Sequence, residues 1–465
     1  MFQPQVYTQR REALRKLMTN GIVFLPGNHE ASYNYPDNTY MFRQDSNFSY
    51  FFGLDNPNFA GIIDIDNNTD YVFGNDFEID DIIWMGPQPK VIDLAKSVGV
   101  EKTGSLSQLA SFLENAVKMG RQVHFAPTYR GETALWVSEL LGLNPWRVRD
   151  YASKPLIDAI VKLRSVKSDL EIAEIEKAVE VAWHMHTTGM RMAYPGRVEK
   201  EISGIMEGIS LSKGGRPVSF PVILSINGQT LHNHYHGNVL KEGRMLVMDA
   251  GAEIESLYCS DITRTVPVGG KFSQRQREIY NIVLQANLDS QAATKPNVFY
   301  KDCHMVACET IANGLKQLGL MKGDVKEAVA QGAHALFLPH GLGHMLGMDV
   351  HDMEGLGQIH VGYDNEIQPS KQFGAAYLRM GRRLQPGFVI TNEPGIYFIP
   401  ELIDMWKAEN KFADFIDYNK VEEYRDFGGI RIEDDILVTE TGSRVLGKPI
   451  PKTVEDVEAT MAERL

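Results

Sequence analysis

Residues 244–265 read RMLVMDAGAEIESLYCSDITRT. The apolar run Met245–Met248 ends on Asp249 and the Gly251 turn, and a second acid, Asp261, follows twelve residues later. An apolar run this short, closed by an acid and a glycine, has the length of a buried strand. A carboxylate at the close of such a strand is costly unless a cation meets it. Either acid alone is more simply a turn or capping residue, so its meaning depends on what the chain brings beside it. From Lys213 to the end the texture is the same, short strand-like runs with glycine-rich turns, and most of the histidines and paired acids fall there.

Three further segments supply candidates. Residues 339–352 read PHGLGHMLGMDVHD, with His340 and His344 spaced as on one helix face. A zinc-protease helix needs a glutamate after the first histidine, and that position is Gly341. The glycines Gly341, Gly343 and Gly347 favour a loop or bent strand in which backbone and imidazoles approach a ligand closely. Residues 387–397, GFVITNEPGIY, set Glu393 at the close of an apolar strand before a Pro-Gly turn. In residues 428–438, GGIRIEDDILV, a period of two puts Arg431, Glu433 and Asp435 on one face and Ile430, Ile432 and Ile436 on the other. In a strand buried on both faces, that polar row lines a site. Asp249, Asp261, Glu393, Glu433 and His344 together make four carboxylates and one imidazole, a set that repels itself unless cations neutralise it. Two divalent metals would do so, and oxygen-rich ligation with one histidine favours Mn²⁺ or Co²⁺ over tetrahedral structural zinc.

The chain has 465 residues and a net charge of −13, from 47 Lys and Arg against 60 Asp and Glu. The length suits two domains, and the acidity excludes a phosphate backbone as a partner unless a basic face is hidden. Three scattered cysteines, Cys259, Cys303 and Cys308, make neither a disulfide framework nor a Cys-rich zinc site, which fits a reducing compartment. Charges at Arg10, Arg11, Glu12, Arg15 and Lys16 break any signal-peptide run, and no stretch approaches the roughly 20 apolar residues of a membrane span. A cytoplasmic protein without membrane contact is expected. In the first part, Gly21–Gly27 reads as a buried strand, 60–65 and 71–74 as a hairpin around a polar turn, and 106–118 and 132–141 as helices, giving a mixed α/β domain of about 160 residues. Ser168-Asp169-Leu170-Glu171 is a capping box that opens a long helix with apolar positions Leu170, Ala173, Ile175, Ala178, Val179 and Ala182.

The four acid and histidine blocks, in this order, resemble the metal-binding blocks of the creatinase or "pita-bread" metallopeptidases, specifically the aminopeptidase P and prolidase group. Phe42-Arg43-Gln44-Asp45-Ser46-Asn47-Phe48-Ser49-Tyr50 with Gly53 resembles the motif that opens their N-terminal domain. The resemblance implies an α/β creatinase-like N-terminal domain over 1–160. It implies an α+β pita-bread catalytic domain over 166–465, a curved antiparallel sheet backed by helices. It assigns Asp249, Asp261, His344, Glu393 and Glu433 as ligands of two divalent ions, Mn²⁺ first, with Co²⁺ or Zn²⁺ as alternatives. His340 and His351 match the group's non-ligand histidines, which contact substrate or the transition state. A further active-site histidine falls in Leu231-His232-Asn233-His234-Tyr235-His236, where His232 is slightly favoured, His234 is an alternative that contacts substrate, and the choice stays open.

The implied reaction is hydrolysis of the bond before a proline at the second position of a peptide, a tertiary amide without an N–H. Glu393 would take the proton from the attacking water, and Arg431 would orient a carboxylate. Arg379 stands where prolidases carry an arginine that grips a dipeptide's terminal carboxylate. With the insertion 398–424 and the tail 451–457 it places prolidase ahead of aminopeptidase P, which shares every catalytic block. The group also implies a homodimer or higher homo-oligomer. Two other readings are a metal-free scaffold module, whose signature would be lost ligands, and non-peptide hydrolysis on the same fold.

Overall fold

The computed structural model describes residues 2–465. The chain divides into two units, one comprising Met1–Arg164 with Gly355–His360, the other Ser165–Glu354 with Val361–Leu465. The first holds a five-stranded sheet in the order Lys102–Gly104, Thr69–Phe73, Ala60–Asp64, Ile22–Pro26, Val123–His124. The apolar run after Gly21 forms its Ile22–Pro26 strand, buried up to Leu25 and antiparallel to Ala60–Asp64. Helices Leu106–Lys118 and Gly131–Leu141 close one core with Phe24, Ile62, Phe73, Leu113 and Val137.

In the second unit every pairing of named strands is antiparallel. Met245–Asp249 lies between Ile223–Ser225 and Thr263–Pro267, and Asp434–Val438 lies between Val389–Asn392 and Ser443–Val445. An isolated bridge between Thr263 and Glu433 joins the two ladders. Long helices supply the backing: Asp169–Met192, Gln274–Ala293 and Tyr300–Gln317. Among the described residues no helix is long and apolar enough to cross a membrane.

Two local expectations need correction. The segment 428–438 is two strands, Gly429–Arg431 and Asp434–Val438, which pair with Gly395–Tyr397 and Val389–Asn392 respectively. The chain changes partners at Ile432–Glu433, so alternation does not run unbroken through it. In the Asp169–Met192 helix, Leu170 is exposed and Ala173 with it, while Glu171 and Ile172 are buried. The reason is polar: the Glu171 carboxylate accepts from Ser168 N at 3.0 Å and from the Tyr258 hydroxyl at 2.8 Å, which turns that first-turn position inward.

Candidate active site

Asp249 ends its strand fully paired on both sides, opposite Thr263 and Ile223. The turn that follows brings Asp261 back beside it. A Cβ at Gly251 would meet the Ser260 carbonyl at 1.7 Å, so only glycine lets the two arms approach this closely. Asp261 is held by its own N–H, which donates to Asp435 Oδ2 at 3.1 Å. Glu433 sits at the change of strand partners, its N–H donating to the Thr263 carbonyl at 3.0 Å and its Oε2 accepting from the Thr263 hydroxyl at 2.6 Å. Glu393 follows the Val389–Asn392 strand.

His344 lies in an irregular segment without helix, pressed against that strand through Gly343, where a Cβ would meet the Thr391 carbonyl at 2.2 Å. Its backbone N–H donates to the Thr391 hydroxyl, and its Nδ1 donates to the Met345 carbonyl at 3.0 Å. That bond fixes the tautomer and turns the Nε2 lone pair toward Asp261 Oδ2, 3.3 Å away, and Glu393 Oε1, 3.8 Å away.

The five residues therefore meet in two overlapping triads, Asp249–Asp261–Glu433 and His344–Glu393–Glu433, with Glu433 common to both. His351 comes within the same reach of Asp261 and His344. Burial, reinforced by the Asp249 charge, raises the Asp261 carboxyl well above its ordinary range, and burial does the same to Glu433. Burial also pushes Glu393 up to about 7. Acids that cannot all ionise together form a site short of positive charge. Arg431 supplies one unit, and Asp249 Oδ1 is buried with no hydrogen-bond partner. The donor set and that orphaned oxygen fit divalent cations.

Arg431 spans the acids' support. Its Nη2 donates to Asp249 Oδ2 at 2.5 Å, its Nε to the Thr263 hydroxyl at 3.1 Å and its Nη1 to the Tyr397 hydroxyl at 2.9 Å. Tyr397 in turn contacts His340 Nε2 at 2.9 Å, while His340 Nδ1 faces the Gly341 carbonyl at 2.8 Å, so both nitrogens of His340 are engaged. His351 Nδ1 bonds the Glu354 carboxylate, and Arg379 bonds the other oxygen of the same group. Arg379 is thus half-exposed and already paired, not the buried free guanidinium that a carboxylate grip calls for. Of the two histidines left open by the sequence, both line the cavity, but Arg431, Asp249 and His351 act electrostatically on His232. His236 is turned away to Ser203.

The five acid and histidine residues, with His232, His234, His340, His351, Arg379 and Arg431, line a cavity of about 870 Å³ whose remaining walls include Phe220, Phe373, Tyr377, Ile399, Leu402 and Met405. Sequence reasoning assigned no role to Thr263, Tyr397 or Glu354, and placed Asp435 only in a polar row with Arg431 and Glu433. Thr263 and Tyr397 lie inside the segments singled out, and the spacing of two between Asp261 and Thr263 is the only signal that marked either.

Residues 173–440 match the profile of Metallopeptidase family M24. The chain belongs to that family. Residues 7–124 of this M24 metallopeptidase match Aminopeptidase P, N-terminal domain. It is 31% identical over 468 residues to a human Xaa-Pro dipeptidase, spanning 97% of this chain and 91% of that one. It is 32% identical to a probable Xaa-Pro aminopeptidase of Aspergillus niger, spanning 94% and 92%. Among solved structures, an Escherichia coli aminopeptidase P variant in complex with substrate aligns with a TM-score of 0.82 at 30% identity, over 99% of this chain and 98% of that one. The M24 metallopeptidase thus has the two-domain aminopeptidase P-like fold and the enzyme class that its four blocks imply, and enzymes of this family use divalent metal ions.

Proposed function

We propose that this M24 metallopeptidase cleaves the bond preceding a proline at the second position of a peptide. The observation that carries the reading is the pair of triads sharing Glu433 on the wall of a cavity whose other walls include the apolar side chains Phe220, Phe373, Ile399, Leu402 and Met405. Those walls suit a pyrrolidine ring, which has no N–H to satisfy. The human dipeptidase and the bacterial aminopeptidase P support the substrate class.

Two divalent cations, Mn²⁺ by the oxygen-rich donor set, would be held by Asp249, Asp261, His344, Glu393 and Glu433 and would supply Lewis-acid activation of water and of the scissile carbonyl. Glu393, within reach of His344 and Glu433, is the carboxylate placed to take up the proton of the attacking water. His351 presents Nε2 to the substrate because Glu354 holds Nδ1. A ring that carries both protons, its charge offset by Glu354, donates from Nε2 to the negative charge that develops. His232 and His234 both face the same substrate space. His340, with both nitrogens committed, holds Tyr397 and through it Arg431.

Dipeptide cleavage is the first reading, and the occupied Arg379 favours a second, in which longer peptides pass Glu354 and Arg379 undisturbed. Initial rates on a Xaa-Pro dipeptide and a Xaa-Pro-Xaa tripeptide with added Mn²⁺ decide between them. For the first reading Arg379→Ala is expected to lower kcat/KM on the dipeptide by up to about 5-fold, since a half-exposed, solvent-screened charge pair is worth up to about 1 kcal/mol, and to spare the tripeptide. Wild-type preference for the tripeptide selects the second reading, and failure on both substrates with metal bound overturns the proposal.

A further inference from the structure

Three buried side chains outside the active-site cavity have the chemistry of a metal site. His304 and Cys308 lie one turn apart on the Tyr300–Gln317 helix, so they share a face, and His334 reaches them from the short turn Ala333–Leu336. The Cys308 thiol is 3.5 Å from His304 Nε2. One ligand atom from each residue lies within 4.8 Å of the other two. All three residues are at most 1% exposed. Bond lengths of about 2.0 Å to nitrogen and about 2.3 Å to sulfur put ligand atoms around a common ion about 3.3–3.8 Å apart, so the cluster needs only a small contraction.

A second observation is independent of that spacing. Neither ring nitrogen of His334 has a hydrogen-bond partner among the described residues, and the nearby Val329 carbonyl falls outside hydrogen-bond geometry. Leaving a buried imidazole with both nitrogens unsatisfied is costly. Burial also depresses His304 to about 3 and His334 to about 4, so both rings are held neutral, the form that ligates.

We propose that His304, Cys308 and His334 form a second metal site, built for a soft monovalent cation, Cu⁺. Sulfur with imidazole is a soft donor set, unlike the carboxylates of the active site, and suits Cu⁺ and Zn²⁺ among the first-row ions. Charge decides against a divalent ion. Binding of Cu⁺ breaks the S–H bond of Cys308, forms a copper–sulfur bond and releases one proton, which leaves the enclosed site neutral. A divalent ion on the same ligands leaves a net positive charge in an apolar interior, with the desolvation cost that this carries. The bound ion ties the Tyr300–Gln317 helix to the turn six residues ahead of His340.

The test uses the full-length enzyme preloaded with Mn²⁺, so that the carboxylate site is filled, and titrates it without oxygen against Cu⁺ held by bicinchoninate. Since the site is enclosed, the protein is both incubated with the complex and refolded in its presence. Wild type is expected to withdraw one equivalent of copper, Cys308→Ala and His334→Phe to bind at least 100-fold more weakly, and Cys303→Ala to bind as wild type. X-ray absorption of the wild-type complex is expected to show one sulfur and two nitrogens, and it decides even if a variant does not fold. Copper left wholly on the chelator after refolding, equal binding by Cys308→Ala, or an oxygen-only shell overturns the site. Zinc held by these three residues with copper refused overturns the assignment of a monovalent ion.

Discussion

Arg431 shows how much of the site rests on one side chain whose role no single motif states. Its guanidinium meets Asp249, Thr263 and Tyr397 at once, a fork that a lysine ammonium does not reproduce. Arg431→Lys is therefore expected to lower divalent-ion affinity about 10–100-fold, the usual effect of losing a group that orients a ligand. Ion titration by calorimetry with circular dichroism as the control for folding checks this, and unchanged affinity would make Arg431 a neutraliser of charge only. Asp261→Ala acts on one of the ligands we propose and is expected to remove one ion and most turnover, read by elemental analysis beside the rate. Asp249 and Glu393 were legible in the sequence because each closes an apolar run, and Asp261 and Glu433 only because they stand in the same set of blocks. Thr263, Tyr397 and Glu354 were not, because each is an ordinary residue whose importance comes from a partner distant along the chain or from a charge pair that only folding assembles.

At the scale of elements, the irregular segment carrying His340, His344 and His351 depends on two contacts. One is the glycine that lets it touch the Val389–Asn392 strand. Gly343→Ala forces a Cβ against backbone that cannot yield, and is expected to cost about 1–3 kcal/mol and to weaken ion binding through displaced His344. Urea unfolding and metal titration of the same variant read the two effects, and full stability would show that the strand can move aside. The other is the ion pair of Lys167 with Asp352, 2.9 Å apart with both side chains 1% exposed. Asp352→Leu strands a buried ammonium and is expected to cost about 3–5 kcal/mol, much of it recovered by Lys167→Met in the same chain. If the double variant is no better than the single one, the pair does more than cancel its own charge. Glycine spacing announced a close-packed loop, and the capping box announced the long helix. The hand-over of strand partners at Ile432–Glu433 was hidden, since alternation looks the same whether or not a strand changes neighbours.

For the molecule as a whole, composition and charge narrowed the partners, and the order of the acidic blocks carried the fold. What they could not supply is the response to acid, which depends on burial. His186 is fully enclosed, bonded through Nε2 to the Ala250 carbonyl, and burial lowers it to about 4. Unfolded, it takes up a proton near pH 6.5. Its contribution is therefore intact above about pH 6.5 and is lost as the pH falls toward 4, in total on the order of 3 kcal/mol. Denaturant unfolding at a series of pH values should show this slope, and His186→Gln should flatten it even if overall stability drops. A slope unchanged in that variant assigns the acid sensitivity to other groups.

The bridge from Thr263 to Glu433 has a practical corollary. The residue that both triads share is also the residue at which two ladders are joined, so whatever holds its carboxylate also clamps that junction. Emptying the centre and loosening the seam between the ladders become one event. The half-life of the enzyme on storage or on heating is then governed by the free divalent ion in its buffer, lengthening as that concentration rises and collapsing in chelator, even where no substrate is ever turned over.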